Sequence, residues 1–311
     1  MKSTKDMSTI ESNRPALPPA RANEAHAAVL PVDMEAGFSL DAKLARQIGE
    51  THAGTYAFAE PFPHIVLDNF LPENITRMAF HEFPPRPLPS DRVFEMGYAG
   101  LHKRQVLPEE CTPPARRMFH YFNSAPFLQF LEGLSSIQGL IPDAYFNGGG
   151  FHEISRGGLL GVHADFRINE ALHLQRRMNV IVYLNEDWKP EFGGNLELWD
   201  RKMQRKCAEI APIFNRCVVF NTDADTYHGH PDPLTCPEGV FRRSMALYYY
   251  TASKEIYNET PNNSTIYQAR PGDAAATHRE AFGLRFEQHV RQWVPPALQR
   301  YVFGLKRRLT R

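Results

Sequence analysis

His163, Ala164 and Asp165 put an imidazole and a carboxylate two residues apart. On extended backbone, residues i and i+2 point to the same side, so both can reach one ion. Two further imidazoles stand in Tyr227-His228-Gly229-His230, after the apolar run Cys217-Val218-Val219-Phe220 and an Asp-rich turn. Two histidines and one carboxylate can take three neighbouring corners of an octahedral metal and leave three open, a ligand set that suits Fe(II). His228 is the preferred third ligand and His230 stays open as the alternative. Beyond them runs Arg242-Arg243-Ser244-Met245-Ala246-Leu247-Tyr248-Tyr249-Tyr250, with Arg242 and Ser244 on one strand face. A guanidinium binds a carboxylate through two parallel charge-assisted hydrogen bonds. An arginine inside such an apolar strand needs an anion, because a buried charge without a partner is costly. A structural Asp or Glu would satisfy it as well as a ligand would.

The elements that must hold these residues change character along the chain. Residues 1–36 carry prolines, alanines and little periodicity, and read as a flexible leader. Leu40, Leu44 and Ile48 give helical spacing over 40–51, with Ser39 as N-cap. His64 to Phe70 reads as a strand, Pro72 opens a helix, and residues 113–133 read as two short helices broken at Ser124. From about Gly148 to Ala252, eight short β-like runs follow, at roughly 149–155, 159–164, 177–184, 194–199, 207–211, 216–221, 226–229 and 242–251. Turn residues separate them, among them Gly157-Gly158 and Gly193-Gly194. Eight strands after a helical lead-in predict a mainly β fold with added helices, a double-stranded β-helix (jelly-roll, cupin-like) core buttressed by the N-terminal helices. The catalytic domain is expected over 37–252, with its core at about 148–252. A polar loop and a helical extension occupy 253–311; Asp273 caps the helix, and a basic amphipathic tail follows Pro295-Pro296.

Bulk properties narrow the function. Lys+Arg and Asp+Glu both number 35, so the electrostatic footprint of a nucleic-acid binder is missing. Cys111, Cys207, Cys217 and Cys236 form no CxxC pair, which speaks against a zinc cluster or disulfide framework and for a reducing compartment. The N-terminus has no apolar signal-peptide core, and no apolar run nears the ~20 residues of a membrane span. A cytoplasmic enzyme is expected. The basic tail, with Arg300, Lys306, Arg307, Arg308 and Arg311, admits a contact with an anionic membrane surface, or simply docks with its charges exposed.

The order of these pieces resembles the 2-oxoglutarate- and Fe(II)-dependent dioxygenases, in particular the prolyl-4-hydroxylase-like branch. The resemblance runs from about Gly148 to Ala252. After His163-Ala164-Asp165 come Arg177-Met178-Asn179-Val180-Ile181-Val182-Tyr183-Leu184-Asn185, then Trp188, Phe192-Gly193-Gly194-Asn195-Leu196-Glu197-Leu198, the distal histidine and the Arg-x-Ser strand. His64 to Phe70 also looks like the entry strand of this branch. The resemblance implies that His163, Asp165 and His228 ligate iron and that Arg242 anchors the distal carboxylate of 2-oxoglutarate. It also implies that Tyr183 hydrogen-bonds that carboxylate. Asn179 shares the face of Tyr183 and is expected to line the pocket, and Ser244 is a further candidate for a hydrogen bond. The His228–Arg242 interval, with Pro231, Pro233, Cys236, Pro237 and Gly239, is longer than a tight turn needs and reads as a lid or substrate contact.

The reaction so implied consumes O2, decarboxylates 2-oxoglutarate to succinate and CO2, and hydroxylates an unactivated C–H bond, with ascorbate as a stimulant. Related halogenases replace the carboxylate ligand by a small residue; Asp165 keeps it, which favours hydroxylation. The primary substrate, peptidyl or small-molecule, is not named by the sequence, nor is the oligomeric state. Phe151, His152, Glu153, Arg156 and Arg167 are the expected substrate-facing positions. Two rival readings are a non-catalytic cupin-like binding module and a zinc hydrolase using the same three ligands.

Overall fold

A computed structural model describes residues 27–85, 88–252, 265–294 and 298–299. The lead-in consists of α1 (Ala42–Ala57), β1 (His64–Leu67), α2 (Glu73–His81), β2 (Arg92–Phe94), β3 (Leu101–Val106), α3 (Pro113–Phe122) and α4 (Ala125–Ser135). Then follow β4 (Ile141–Pro142), β5 (Gly150–Ala164), β6 (Ile168–Asn169), β7 (Leu174–Tyr183), β8 (Leu196–Trp199) and β9 (Lys206–Ile210). The chain continues through β10 (Cys217–Asn221), β11 (His228–His230), β12 (Arg242–Ala252), β13 (Ile266–Tyr267) and α5 (Ala275–Trp293).

All named strand pairs are antiparallel. The main path runs β1-β10-β7-β12-β5-β11-β8-β9. The two runs expected at 149–155 and 159–164 are one strand, β5, that serves two layers. Its first part pairs β12 and β3, and its last part pairs β11 and β13. Gly157, with φ +77°, lies between the two parts, where the strand changes layers. The result is the expected double-stranded β-helix with helices added.

Strand alternation decides what each layer buries. Val180 and Val182 of β7 and Leu247 and Tyr249 of β12 face the helices, where Phe70, Phe119, Phe122, Phe127 and Phe130 complete one aromatic-rich core. Phe122 and Phe127 meet edge to face, with centroids 4.8 Å apart. Tyr183, Leu196, Leu198, Ile210, Val218 and Phe220 fill the space between the layers at one end of the roll. The other end stays open as the cavity described below. The helical lead-in therefore backs the sheet whose inner face carries the site.

Several expectations need correction. The packed chain starts before residue 37: Val29 and Leu30 donate to the carbonyls of Asn69 and Phe70, and Leu30 and Val32 are buried. Residues 1–26 of the expected leader lie outside the described residues, as do the loop 253–264 and the basic tail from 300 onward. Asp41, not Ser39, caps α1: its carboxylate accepts from the Leu44 N–H at 2.8 Å, while Ser39 is held in a bridge to Asp33. Asp273 does not cap α5; it binds Arg270, and Ala274 takes the cap position. Strands β2 and β3 have no counterpart in the sequence reading, because Leu101-His102-Lys103-Arg104-Gln105-Val106 is mostly polar. No helix among the described residues is long and apolar enough to cross a membrane.

Candidate active site

His163 stands near the end of β5 and pairs directly with His228 at the start of β11. Asp165 follows β5 by one residue. Gly229 allows the close approach of the two strands: a Cβ there would meet the Gly161 carbonyl oxygen at 2.8 Å and the Leu160 oxygen at 2.9 Å. The Nε2 of His163 lies 3.8 Å from Asp165 Oδ1, and that of His228 lies 3.5 Å from Asp165 Oδ2. One donor atom from each of the three residues falls within 4.8 Å of the others. His230 is outside this group.

The donor set fits a divalent metal on its own geometry. His163 Nδ1 bonds the Gly161 carbonyl at 2.8 Å and His228 Nδ1 bonds the Thr226 carbonyl at 3.1 Å. Each bond fixes Nδ1 as the protonated nitrogen and leaves Nε2 with its lone pair facing the other ligands. Burial, then the neighbouring His228, pushes the His163 imidazole down to about 3, and burial likewise lowers His228. Burial alone would raise Asp165, but Arg176, the two imidazoles and Asn179 hold it well below the usual carboxylate range. All three ligands are thus in their metal-binding protonation states.

Asp165 is oriented by residues on β7. Arg176 reaches its Oδ2 at 3.1 Å, and the Asn179 side-chain amide donates to the same oxygen at 2.7 Å. Arg176 in turn donates to Asn179 Oδ1 from Nε (3.0 Å) and Nη2 (2.7 Å) and stacks over Tyr248, 3.6 Å from the ring centroid. Asn179 does line the cavity, as expected, but its bonds hold the carboxylate. Arg176 and Tyr248 are site residues that the sequence reading missed. Arg176 lies one position before the Arg177–Asn185 run that carries the family resemblance, and only the pairing of the strands brings it to Asp165. Tyr267 of β13, also missed, stacks on His163 with centroids 5.5 Å apart.

Arg242 enters the same cavity from β12. It is buried, donates from Nε to the Gly194 carbonyl at 2.7 Å and from Nη2 to the Tyr183 hydroxyl at 3.2 Å. No described carboxylate pairs with it, and burial lowers its pKa. Gly194 is required at its place: φ is +71°, and a Cβ would meet Leu234 Cδ2 at 2.5 Å and Arg242 Cδ at 2.9 Å. Ser244 lines the cavity one alternation along from Arg242. The cavity encloses about 210 Å³ and includes the three ligands, Arg242, His152, His230 and Lys103.

Of the expected substrate-facing residues, only His152 lines it. Phe151 and Glu153 alternate to the opposite face, Phe151 into the aromatic core and Glu153 onto Arg104 and Arg243. Arg156 donates to the Thr235 and Cys236 carbonyls, and Arg167 pairs with Asp223 at 3.1 Å. The 231–241 interval is pinned at the cavity's flank by Leu234 and the buried Cys236, packed with Ile154.

Residues 149–250 match the family model described as the 2OG-Fe(II) oxygenase superfamily. No curated protein matches the chain. Among solved structures, a Pseudomonas putida prolyl-4-hydroxylase is similar at 16% identity and a TM-score of 0.47, over 66% of this chain and 100% of that one. A Trichoplax adhaerens prolyl hydroxylase, in complex with a hypoxia inducible factor peptide fragment, is similar at 16% and 0.48, over 72% and 99%. HygX from Streptomyces hygroscopicus, with nickel and 2-oxoglutarate bound, gives 12% and 0.40, over 60% and 82%.

Proposed function

From the premise that residues 149–250 belong to the 2OG-Fe(II) oxygenase superfamily, we infer how this chain performs such chemistry. The enzyme is an Fe(II)- and 2-oxoglutarate-dependent dioxygenase that hydroxylates an unactivated C–H bond and releases succinate and CO2. One observation carries the assignment of roles. Three neutral or anionic donors converge in one cavity, and a buried guanidinium with no anionic partner among the described residues lines the same cavity.

His163 Nε2, Asp165 and His228 Nε2 hold the metal. Fe(II) bound there supplies the activation of O2 and a template for the co-substrate. Arg242 binds the distal carboxylate of 2-oxoglutarate through its unused N–H groups, and the Tyr183 hydroxyl donates to the same oxygen pair. Arg176 and Asn179 keep Asp165 in one orientation. Leu196, Ile181 and Ile154 wall the cavity with apolar surface and limit water there. Ascorbate stimulates turnover by keeping the iron ferrous. The four cysteines are all free, which supports a cytoplasmic location.

The test is anaerobic calorimetry of 2-oxoglutarate binding to the Fe(II)-loaded protein, with succinate release on adding O2. His163→Ala and Asp165→Ala are expected to lose bound iron and to reduce succinate release to background. Iron content and turnover at wild-type level in either variant would overturn the ligand assignment. Bound iron and 2-oxoglutarate with no turnover against any substrate would instead favour the cupin-like binding module, and zinc with hydrolytic activity would favour a hydrolase.

A further inference from the structure

Arg242 is not the sole cation in this cavity without an anion. Lys103 on β3 lies opposite Ile154 of β5, and Ile154 lies opposite Arg242 of β12. The three residues form one transverse row on one sheet face. With strands 4.7–4.9 Å apart, the backbones of Lys103 and Arg242 are separated by about 10 Å. Both side chains line the cavity. The ammonium of Lys103 stands 5.2 Å from the Phe94 ring and makes no described hydrogen bond or ion pair. Among the described residues Asp165 is the one carboxylate in the cavity lining, and it is already engaged by Arg176 and Asn179 and turned toward the two imidazoles. Burial draws Lys103 down to about 8; the charge of Asp165 opposes this only in part, and Arg242 and Arg176 add to it, which still leaves the ammonium charged at neutral pH.

A second unpartnered group stands nearby. Both ring nitrogens of the buried His230 lack a hydrogen-bond partner among the described residues. It lines the same cavity as Lys103 and Arg242. A neutral imidazole can donate one N–H to an anion.

The ligands of the reaction as read above do not use these groups. 2-Oxoglutarate has two carboxylates; the metal takes one and Arg242 with Tyr183 takes the other. Lys103 therefore remains for an anion that the co-substrate does not supply. It comes from the β2–β3 hairpin, outside residues 149–250, the part shared with the oxygenase family model. The same hairpin region brings Phe94, Met96 and Ala99 to the cavity wall. We propose that Lys103, assisted by His230, recognises an anionic group, a carboxylate or a phosphate, on the primary substrate. An apolar portion of that substrate packs against Phe94 and Met96. This proposal rests on the reading of Arg242 as the co-substrate anchor.

Matched pairs of probes test it on the full-length protein loaded with Fe(II) and 2-oxoglutarate without oxygen. N-acetyl amino acids are compared with their amides, and sugar phosphates with the free sugars, by calorimetry and then by stimulation of succinate release in air. An anionic member is expected to bind about 10- to 100-fold more tightly than its neutral partner, as for a hydrogen bond to a charged group. The pair that responds distinguishes carboxylate from phosphate. The preference should vanish in Lys103→Met and return in part in Lys103→Arg, while 2-oxoglutarate affinity changes by less than about twofold, well below one hydrogen bond's worth. Equal binding of neutral and anionic members, or an equal preference in Lys103→Met, overturns the proposal. So does a fall in 2-oxoglutarate affinity in Lys103→Met as large as that in Arg242→Met, which would make Lys103 part of the co-substrate site. Failure of the wild type to bind 2-oxoglutarate at all would overturn the oxygenase reading first, and this proposal with it.

Discussion

Arg176 and Arg242 face one cavity from neighbouring strands, with residual exposures of 2% and 5%. Arg176 is saturated: a carboxylate, a side-chain amide and an aromatic face take up its charge. Among the described residues Arg242 meets only a carbonyl and a phenol. The difference separates two uses of a buried charge. Arg176 is part of the framework and fixes a metal ligand before any ligand arrives. Arg242 is held charged and underpaired, so the folded chain carries an electrostatic cost that a dicarboxylic co-substrate relieves.

Removing each arginine from the metal-free protein should break the symmetry most sharply. Arg176→Met leaves Asp165 buried without its cation, and loss of about 3–5 kcal/mol of stability is expected. Arg242→Met removes a charge that has no counter-charge, so its stability should be unchanged or higher. Urea denaturation of both variants measures the two effects side by side. Equal destabilisation would mean that Arg242 has an anionic partner in the free protein.

The second effect is smaller and falls on binding. Arg242→Met should weaken 2-oxoglutarate about 10- to 100-fold, the loss of one or two charge-assisted hydrogen bonds. Arg242→Lys should recover part of this only, because an ammonium cannot make the paired bonds of a guanidinium. Iron content should stay at the wild-type level in both. If the lysine variant binds 2-oxoglutarate as the wild type does, the two-point grip on the carboxylate is wrong.

The sequence made one of these arginines legible and hid the other. Arg242 stands out because it interrupts an apolar strand after a histidine motif. Arg176 stands among Gln175 and Arg177 in a polar stretch and gains its meaning only when β7 passes beside Asp165. The same contrast holds for the fold. The jelly-roll strands alternate clearly because one face of each is apolar core. β3 went unseen because its residues serve ion pairs and the cavity: Arg104 is buried on Asp91 and Glu153, Gln105 on the Gly149 carbonyl, and Lys103 opens to the cavity. Short-range pattern shows where hydrophobic burial dominates. It is silent where long-range polar pairing decides, and at this site that includes Lys103 and the orienting residues of Asp165.

The smallest predicted effect concerns His152, which lines the same cavity one alternation along β5 from Ile154, the residue between Lys103 and Arg242. Its Nε2 donates to the Gly148 carbonyl at 2.9 Å. Burial, then Lys103 on β3, then Arg242 on β12, lower its pKa well below the ordinary 6.5, the Gly148 bond only partly opposing them. The folded state therefore refuses a proton that the unfolded chain accepts below about pH 6.5. Stability tied to His152 is fully present above that pH and is lost as the solution is acidified, with a slope approaching about 1.4 kcal/mol per pH unit. His163, held down to about 3, adds a loss of the same sign in the metal-free protein. Thermal melts of metal-free wild type and His152→Gln between pH 7 and 5 isolate the first contribution, because glutamine keeps a donor for Gly148 but cannot titrate. The variant should show the shallower decline. Adding Lys103→Met to the wild type should also flatten the profile, since it removes one of the two charges that keep the imidazole neutral. A His152→Gln profile parallel to the wild type would mean that His152 adds nothing to the acid slope; a Lys103→Met profile parallel to the wild type, with His152→Gln shallower, would mean that burial and not the charge of Lys103 keeps the imidazole neutral.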